Sequence, residues 1–529
     1  MLLAASGIAA GVYLRVTQLS TQILLDDEWH AIHKLLHSDV KGILTSFGVA
    51  DYSIPLTLYY RFIADHGGLS EWGMRLPLLV AGIALLVVAP LLMRREVAPP
   101  VRATWIVLLA ISPLLVYLTR TARPYALTCL LACVAVVAFR NWWRRAPHPA
   151  AWASLYVIAT ALAGWLHLIT LPFTLLPFAY YAVALASQRE HDRRRTILRL
   201  LCLGAAVAVP LAAALAPPII ASTAQLTGKA GADSVTLDSA YRTALLMGGF
   251  ASPWALAIEL ALFVVGAFGF ARRDADFVAY IAVLCVGTAM AIVIARPAWI
   301  QHPLVFARYM LPALPFALLF VAEGAVVVVA RVRRPIVGAV AVALAALLLF
   351  RIGPMPGYLY FPNQFMEHAR FQFDYDDAHN PYVLEIPREP IPAFYRGLAK
   401  RPPGSVTLIE APWRLESNFI PFPWYQAVHR QFIKIGLVTP ICGVRDFGEY
   451  PPGTTRLRFR NFVHLTDILA GKNAGADYLV MHRKAWKTPP DADVEWPDVD
   501  ACLPGIIAKL GPPTYRDESI VVFDVGAHR

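Results

Sequence analysis

The sequence predicts a mainly α protein: a polytopic helical membrane domain of about eleven spans, followed by a C-terminal extracytoplasmic α/β domain. Three observations predict it. Of 529 residues, 57% are hydrophobic and 16% charged, with a mean hydropathy of +0.53, beyond the apolar content of ordinary soluble domains. Apolar runs of about 20 residues, the length needed to cross hydrocarbon with every backbone group paired internally, recur up to residue 350. From about residue 351 the composition turns soluble and rich in Pro and Arg.

The runs fall near 1–19, 76–93, 103–119, 124–139, 150–166, 168–187, 197–217, 252–271, 277–295, 310–330 and 336–350. The formal charge of +11 would suit nucleic acid if it were gathered on one face, but the arginines are distributed by loop. Arg94, Arg95 and Arg102, then Arg140, Arg144 and Arg145, then Arg189 to Arg199, then Arg272 and Arg273, then Arg331, Arg333 and Arg334 occupy alternate loops. The positive-inside rule makes those loops cytoplasmic and leaves no call for a nucleic-acid partner. An odd number of spans then puts the N-terminus inside and everything after about residue 351 outside. The first segment has an alternative reading as a signal peptide, but it lacks a basic n-region and a convincing cleavage site before Asp26.

In the C-terminal part, "SVTLIEAPW", "ADYLVMHR" and "SIVVFDVG" read as short strands and "NFVHLTDILAGKNAG" as an amphipathic helix. Cys129, Cys133, Cys202 and Cys285 fall in predicted spans as small apolar side chains. Cys442 and Cys502 are the only pair in the outer domain, where both a disulfide and free thiols are open.

The first outer loop, 20–75, is long for a helical membrane protein. It begins "LSTQILLDDEWHAIHKLLH", with Asp26, Asp27 and Glu28 in succession. Helical periodicity puts Trp29, Ile32 and Leu36 on one face, with His30, His33 and His37 beside it. Such a helix is expected to lie in the interface with its apolar face in lipid. An aspartate there also suits a cap or dipole partner, but three carboxylates at a membrane boundary point to chemistry.

Further along come "DYSIPLTLYY", an Arg-Leu-Pro opening the second span, "SPLLVYLTRTARPYALTCLLA", "GWLHLITLPF" and "ARYMLPALPFALLFVAEG". In this order the motifs resemble the GT-C superfamily of integral-membrane glycosyltransferases, in particular bacterial proteins similar to protein O-mannosyltransferases and lipid A aminoarabinose transferases. The resemblance covers about 330 residues and otherwise only the ending "GPPTYRDESIVVFDV". It implies a GT-C fold in the bacterial plasma membrane. It also implies inverting sugar transfer from a polyprenyl-phosphate donor to an acceptor (lipid, polysaccharide or protein) on the outer face, with no nucleotide sugar.

Three tasks follow from that chemistry. The acceptor hydroxyl needs a base: Asp27 matches the catalytic Asp of the family's Asp-Glu pair, Asp26 would serve if the register slips by one, and Glu28 would orient the site or touch acceptor. The leaving lipid phosphate needs cations. Arg15, Arg75, Arg123 and Arg308 sit at outer span ends, where each alone would equally suit snorkelling; Arg123, with Tyr125 in "RPY", and Arg308 carry the closest motif match. The sugar and second substrate need placing, for which Asp51, Tyr59, His167 and Tyr309 are candidates. Asp51 precedes Pro55 by four residues as in relatives reading Asp-x-His-Pro-Pro-Leu, but Ser53 and Ile54 replace the His-Pro part. His167 has a plain structural reading too.

No cofactor is expected. A divalent metal is left open by the spacing of Asp26 with His30 and His30 with His33, without assigned ligands. The rival readings are a transporter or flippase of lipid-linked sugars, which would concentrate polar residues near the bilayer centre, and a polymerase of lipid-linked glycans.

Overall fold

A computed structural model describes residues 2–24, 26–185, 190–249, 253–331, 391–413, 422–443, 453–472, 474–484 and 496–526. The helices of the first part are α1 (Leu2–Val16), α2 (Asp26–His37), α3 (Val40–Thr45), α4 (Ile54–His66), α5 (Glu71–Leu92), α6 (Pro99–Ile111), α7 (Pro113–Thr119) and α8 (Tyr125–Trp143). They continue as α9 (Pro149–Leu166), α10 (Leu171–Ala184), α11 (Glu190–Ala221), α12 (Thr223–Lys229), α13 (Leu237–Gly248), α14 (Pro253–Ala295), α15 (Pro303–Met310) and α16 (Leu314–Arg331). Among the described residues six helices are long and apolar enough to cross a membrane, or seven if the bent pair α6 and α7 forms one span. The expected first and sixth spans correspond to shorter apolar helices, Leu2–Val16 and Leu168–Ala184, and the expected span at 336–350 lies outside the described residues.

α14 holds two of the expected spans. A straight helix of its 43 residues would reach about 65 Å, roughly twice the hydrocarbon thickness. Asp274 breaks it with φ −152° and ψ 74°. The Asp274 carboxylate accepts Phe277 N at 3.0 Å, capping the second half, and is bound by Arg140 and Arg144. Both halves pack on α16: Gly266 lies against the Phe320 carbonyl, and Phe277 against Phe316 and Phe320. The approach is so close that a Cβ at Gly266 would overlap Phe320 O, and one at Gly324 would overlap Leu262 O, the small-residue packing that lets membrane helices meet at backbone distance.

The break between α6 and α7, a bend of 57° at Ser112 and Pro113, leaves carbonyls at the end of α6 without helical donors. Arg15 answers them: its Nη1 donates to Ala110 O at 2.8 Å and its Nη2 to Leu109 O at 3.0 Å. Arg120 does the same for the end of α1, donating to Leu14 O at 3.1 Å and Thr17 O at 2.6 Å.

The C-terminal part carries α17 (Ala393–Leu398), β1 (Thr407–Ala411), α18 (Phe422–His429), β2 (Phe432–Leu437), β3 (Phe462–His464), α19 (Leu465–Leu469), β4 (Tyr478–His482), α20 (Val499–Leu510), β5 (Tyr515–Arg516) and β6 (Ile520–Asp524). The sheet order is β3-β2-β1-β4-β6-β5. β1 pairs in parallel with β2 (Thr407 opposite Phe432) and β4 (Leu408 opposite Tyr478), and β6 closes antiparallel on β4. The expected strands appear as β1, β4 and β6. The helix expected over 461–475 is corrected: its first residues form β3 and only α19 is helical, because Phe462 and Val463 extend the parallel sheet beside Ile435 and Gly436. Cys442 and Cys502 are joined by a disulfide.

The two parts share one core. Trp29, Ile32 and Leu36 of α2 are at most 1% exposed and belong to the same apolar cluster as Tyr60, Leu408, Trp413 and Ile435. The Trp29 ring lies 5.0 Å from Trp413 and 6.0 Å from Phe459 between centroids. The apolar face of α2 therefore packs under the C-terminal sheet rather than in lipid, which corrects the interfacial expectation. Gln426 of α18 fixes the approach to α2, accepting Ile23 N at 2.8 Å and donating to Thr21 O at 2.8 Å.

Candidate active site

α2 begins at the three carboxylates, so a helical spacing of three puts Asp27 and His30 on one face. His30 Nε2 lies 3.5 Å from Asp27 Oδ1. On the other oxygen, Oδ2, Asp27 accepts a hydrogen bond of 2.7 Å from Arg308 Nη1 at the end of α15. Burial by itself would push the Asp27 carboxyl up, but the Arg308 guanidinium, the His30 hydrogen bond and the charge of Arg123 outweigh it and hold Asp27 well below the usual carboxylate range.

These groups open onto a cavity of about 510 Å³. Arg123, in the turn between α7 and α8, reaches it while donating Nη2 to Ala50 O at 3.1 Å. The Arg308 guanidinium sits 5.3 Å from the Tyr125 ring centroid and 5.7 Å from that of Tyr309. His167, between α9 and the next apolar helix, places its ring 5.4 Å from Tyr125 and 5.8 Å from Tyr309. Across the cavity Lys229, the last residue of α12, donates to Val49 O and stands 5.4 Å over the Tyr52 ring; burial first, and Arg123 second, lower its ammonium from the ordinary lysine value. Trp299, in the link from α14 to α15, forms part of the wall.

Of the residues singled out in the sequence, the cavity gathers Asp27, Arg123, Tyr125, His167, Arg308 and Tyr309. Others lie elsewhere. Arg15 is wholly buried against the carbonyls of α6 and cannot join the four-arginine clamp. Arg75 and Glu28 are both fully buried and bind each other, with Nε to Oε1 at 2.8 Å and Nη2 to Oε2 at 2.7 Å. Arg75 also donates to the carbonyls of Leu19, Gln22 and Ile23, and Glu28 accepts Ala122 N at 2.6 Å, so the pair ties the chain entering α2 to α5 and to the turn carrying Arg123. Tyr59 donates to Gly73 O at 2.8 Å, away from the cavity. Asp51 is buried and accepts Ser53 N at 3.2 Å and Thr57 Oγ1, fixing the start of α4 while its neighbours Ala50 and Tyr52 line the cavity. The Asp26 side chain lies outside the described residues.

Sequence reasoning missed Lys229, Tyr52 and Trp299 and weighed His30 only as a metal ligand. For Lys229 a signal existed: Lys34, Lys41 and Lys229 are the lysines before residue 351, and all three fall in segments that the arginine distribution puts outside. Among the described residues no group of three or more His, Cys, Asp or Glu is gathered that could hold a metal ion.

No protein-family model matches the chain, and no curated protein matches it. Among solved structures the chain is similar to ArnT from Cupriavidus metallidurans in the apo state, at 13% identity over 99% of this chain and 97% of that one, with a TM-score of 0.46. The same protein bound to undecaprenyl phosphate aligns at 14% identity over the same shares, with a TM-score of 0.47. The archaeal oligosaccharyltransferase AglB from Archaeoglobus fulgidus, in complex with an inhibitory peptide and a dolichol-phosphate, aligns at 12% identity over 91% of this chain and 69% of that one, with a TM-score of 0.48. Likenesses this distant carry no argument about the site, which stands on its own residues.

Proposed function

We propose that the protein is an inverting glycosyltransferase that moves a sugar from a polyprenyl-phosphate donor to an acceptor hydroxyl on the extracytoplasmic face of a bacterial plasma membrane. The observation that carries the reading is one carboxylate, Asp27, facing Arg308, Arg123 and Lys229 in a single cavity at the ends of apolar helices. A prenyl tail stays in lipid, so its phosphate is confined to the membrane edge, where an anion needs cations close by. Guanidinium groups match a phosphate in fork geometry, and the rings of Tyr125 and Tyr309 hold Arg308 in place.

In this reading the acceptor oxygen attacks the anomeric carbon from the side opposite the phosphate. Its proton passes to an Asp27 oxygen, the bond from the anomeric carbon to the phosphate oxygen breaks, and the electron pair leaves with the polyprenyl phosphate, held by Arg123, Arg308 and Lys229. The Arg308 hydrogen bond makes Asp27 a weak base in the empty site. Phosphate arriving at Arg308 competes for that guanidinium, and Asp27 becomes more basic when the donor is present. In this reading the N-terminus lies inside and the C-terminal domain outside, as the distribution of arginines among the loops supports. The acceptor is left as an envelope lipid, polysaccharide or protein.

The deciding assay is transfer from a synthetic polyprenyl-phosphate sugar by the purified full chain. Asp27→Asn keeps shape and removes basicity, so turnover is expected to fall by roughly 100-fold or more, with Asp26→Asn retaining most of it. Near-normal turnover in Asp27→Asn would remove the carboxylate from catalysis.

A further inference from the structure

α12 is seven residues long, and none of its residues is fully buried. Leu226 alone of them packs on an apolar cluster. A helix that short is marginal by itself, so polar contacts decide where it stands. At its far end Lys229 O accepts Ala298 N at 3.0 Å. The rest of its ties run to the loop 46–52, between α3 and α4. Gln225 Nε2 donates to Gly48 O at 2.5 Å and to Val49 O at 2.9 Å, and Lys229 donates to Val49 O as well. Ser222, just before the helix, accepts Phe47 N on its hydroxyl at 3.0 Å.

The next carbonyl of the same loop, Ala50 O, accepts Arg123 Nη2 at 3.1 Å, and the Asp51 carboxylate is among the charges that act on Arg123. One loop thus holds two of the cations that face the cavity, through adjacent carbonyls. Gln225 and Lys229, four residues apart, lie on one face of α12. Their chemistry differs. An ammonium has three donors and a full charge, so an arriving phosphate draws on it; a neutral amide whose two N–H groups already meet carbonyls has little to gain from the anion.

We infer that Gln225 is a positioning residue for the donor: it keeps α12 on the loop 46–52, so that Lys229 can turn to the phosphate beside Arg123 without the helix coming away. The inference rests on the polyprenyl-phosphate reading of the cavity. Without that amide, Lys229 itself becomes the main tie between α12 and the loop, and the Val49 carbonyl competes with the phosphate for its ammonium.

The test measures equilibrium binding of farnesyl phosphate and of farnesol to the full chain in detergent. The two share a tail and differ in the phosphate, so a general loss of structure would weaken both alike. Wild-type protein is expected to bind farnesyl phosphate the more tightly. Gln225→Ala, and the isosteric Gln225→Glu, which has no N–H to donate, should each weaken farnesyl phosphate about tenfold, the size of one hydrogen bond to a charged group, and leave farnesol unchanged. In a Lys229→Ala background, Gln225→Ala should weaken farnesyl phosphate by less than about twofold more, because residues that act through one contact do not add. Equal weakening of both lipids, weakening of neither, full affinity in Gln225→Glu, or full additivity with Lys229→Ala overturns the assignment of Gln225. Wild-type protein that binds farnesyl phosphate no better than farnesol overturns the polyprenyl-phosphate reading itself, a result distinct from the others.

Discussion

Arg75 and Glu28 close on each other with two parallel hydrogen bonds, and neither side chain is exposed. The remaining donors of Arg75 hold the carbonyls of the turn that leads into α2, which places Asp27, one residue before Glu28, opposite Arg308. The carboxylate that does not touch the cavity is thus the one that aims the carboxylate that does.

A difference between neighbouring carboxylates follows. Glu28→Gln leaves the Arg75 charge buried without its partner, a loss of about 3–5 kcal/mol, so the thermal unfolding midpoint in detergent should drop sharply. Asp27→Asn, at a partly exposed position, should leave that midpoint nearly unchanged. Equal midpoints for the two variants would contradict the division of roles.

The pH dependence carries a sign that the geometry sets. Asp27 is held well below its usual value of 3.8, so its contribution to stability is complete above that value and is lost only as pH falls through the lower folded one. The acid limb of kcat/KM, which reports the empty enzyme, should therefore lie below pH 3.8. Donor phosphate that draws Arg308 away removes the main influence lowering Asp27, so the acid limb of kcat should lie at higher pH. Pre-steady-state turnover across pH 3–8 should show an acid limb in kcat and none in kcat/KM, and the absence of a limb from both would argue that Arg308 stays on Asp27 throughout.

Helix packing gives a sharp contrast between two glycines of α14. Gly266→Ala puts a methyl into the backbone of α16, and overpacking of this kind costs about 1–3 kcal/mol or more. Gly269→Ala meets Val327 Cγ2 at 3.6 Å, an ordinary contact, and should be neutral or stabilising by up to about 1 kcal/mol. Yield of monodisperse protein and midpoint after heating distinguish them.

Orientation is checked with fusions. A reporter that works only outside the cytoplasm should be active when fused after residue 351, and one placed within 188–196 should be active only if it works inside. The reverse pattern would turn the cavity to the cytoplasmic face and remove the reading of the site.

Much of the architecture was legible because apolar length and the period of two in strands are local properties: α5, α8, α9 and α16 and strands β1, β4 and β6 lie where the sequence put them. Asp27, Arg123 and Arg308 were legible because each sits in a short motif. Arg15 and Arg75 were not, since an arginine at a span end looks the same in sequence whether it meets lipid phosphate or backbone carbonyls, and the choice depends on the bend at Ser112 and on Glu28. Trp299 and Lys229 carry no period and no motif; they reach the cavity only through the hydrogen bonds between their two loops. The β3 segment was read as helix because its sheet partner, β2, determines it from outside the window.

The contact between Gln426 and Ile23 joins residues 403 positions apart, and Trp29 is covered by Trp413, Phe459 and Phe462 from the same distant region. During synthesis the membrane helices can insert one after another, while α2 waits with a bare apolar face until the last part of the chain has been made and folded over it. Loop closure across such a span comes late. On the proposed reading, a chain without that region lacks the cover that holds α2 and with it Asp27 in place, and a C-terminal truncation should show no transfer from lipid-linked sugar.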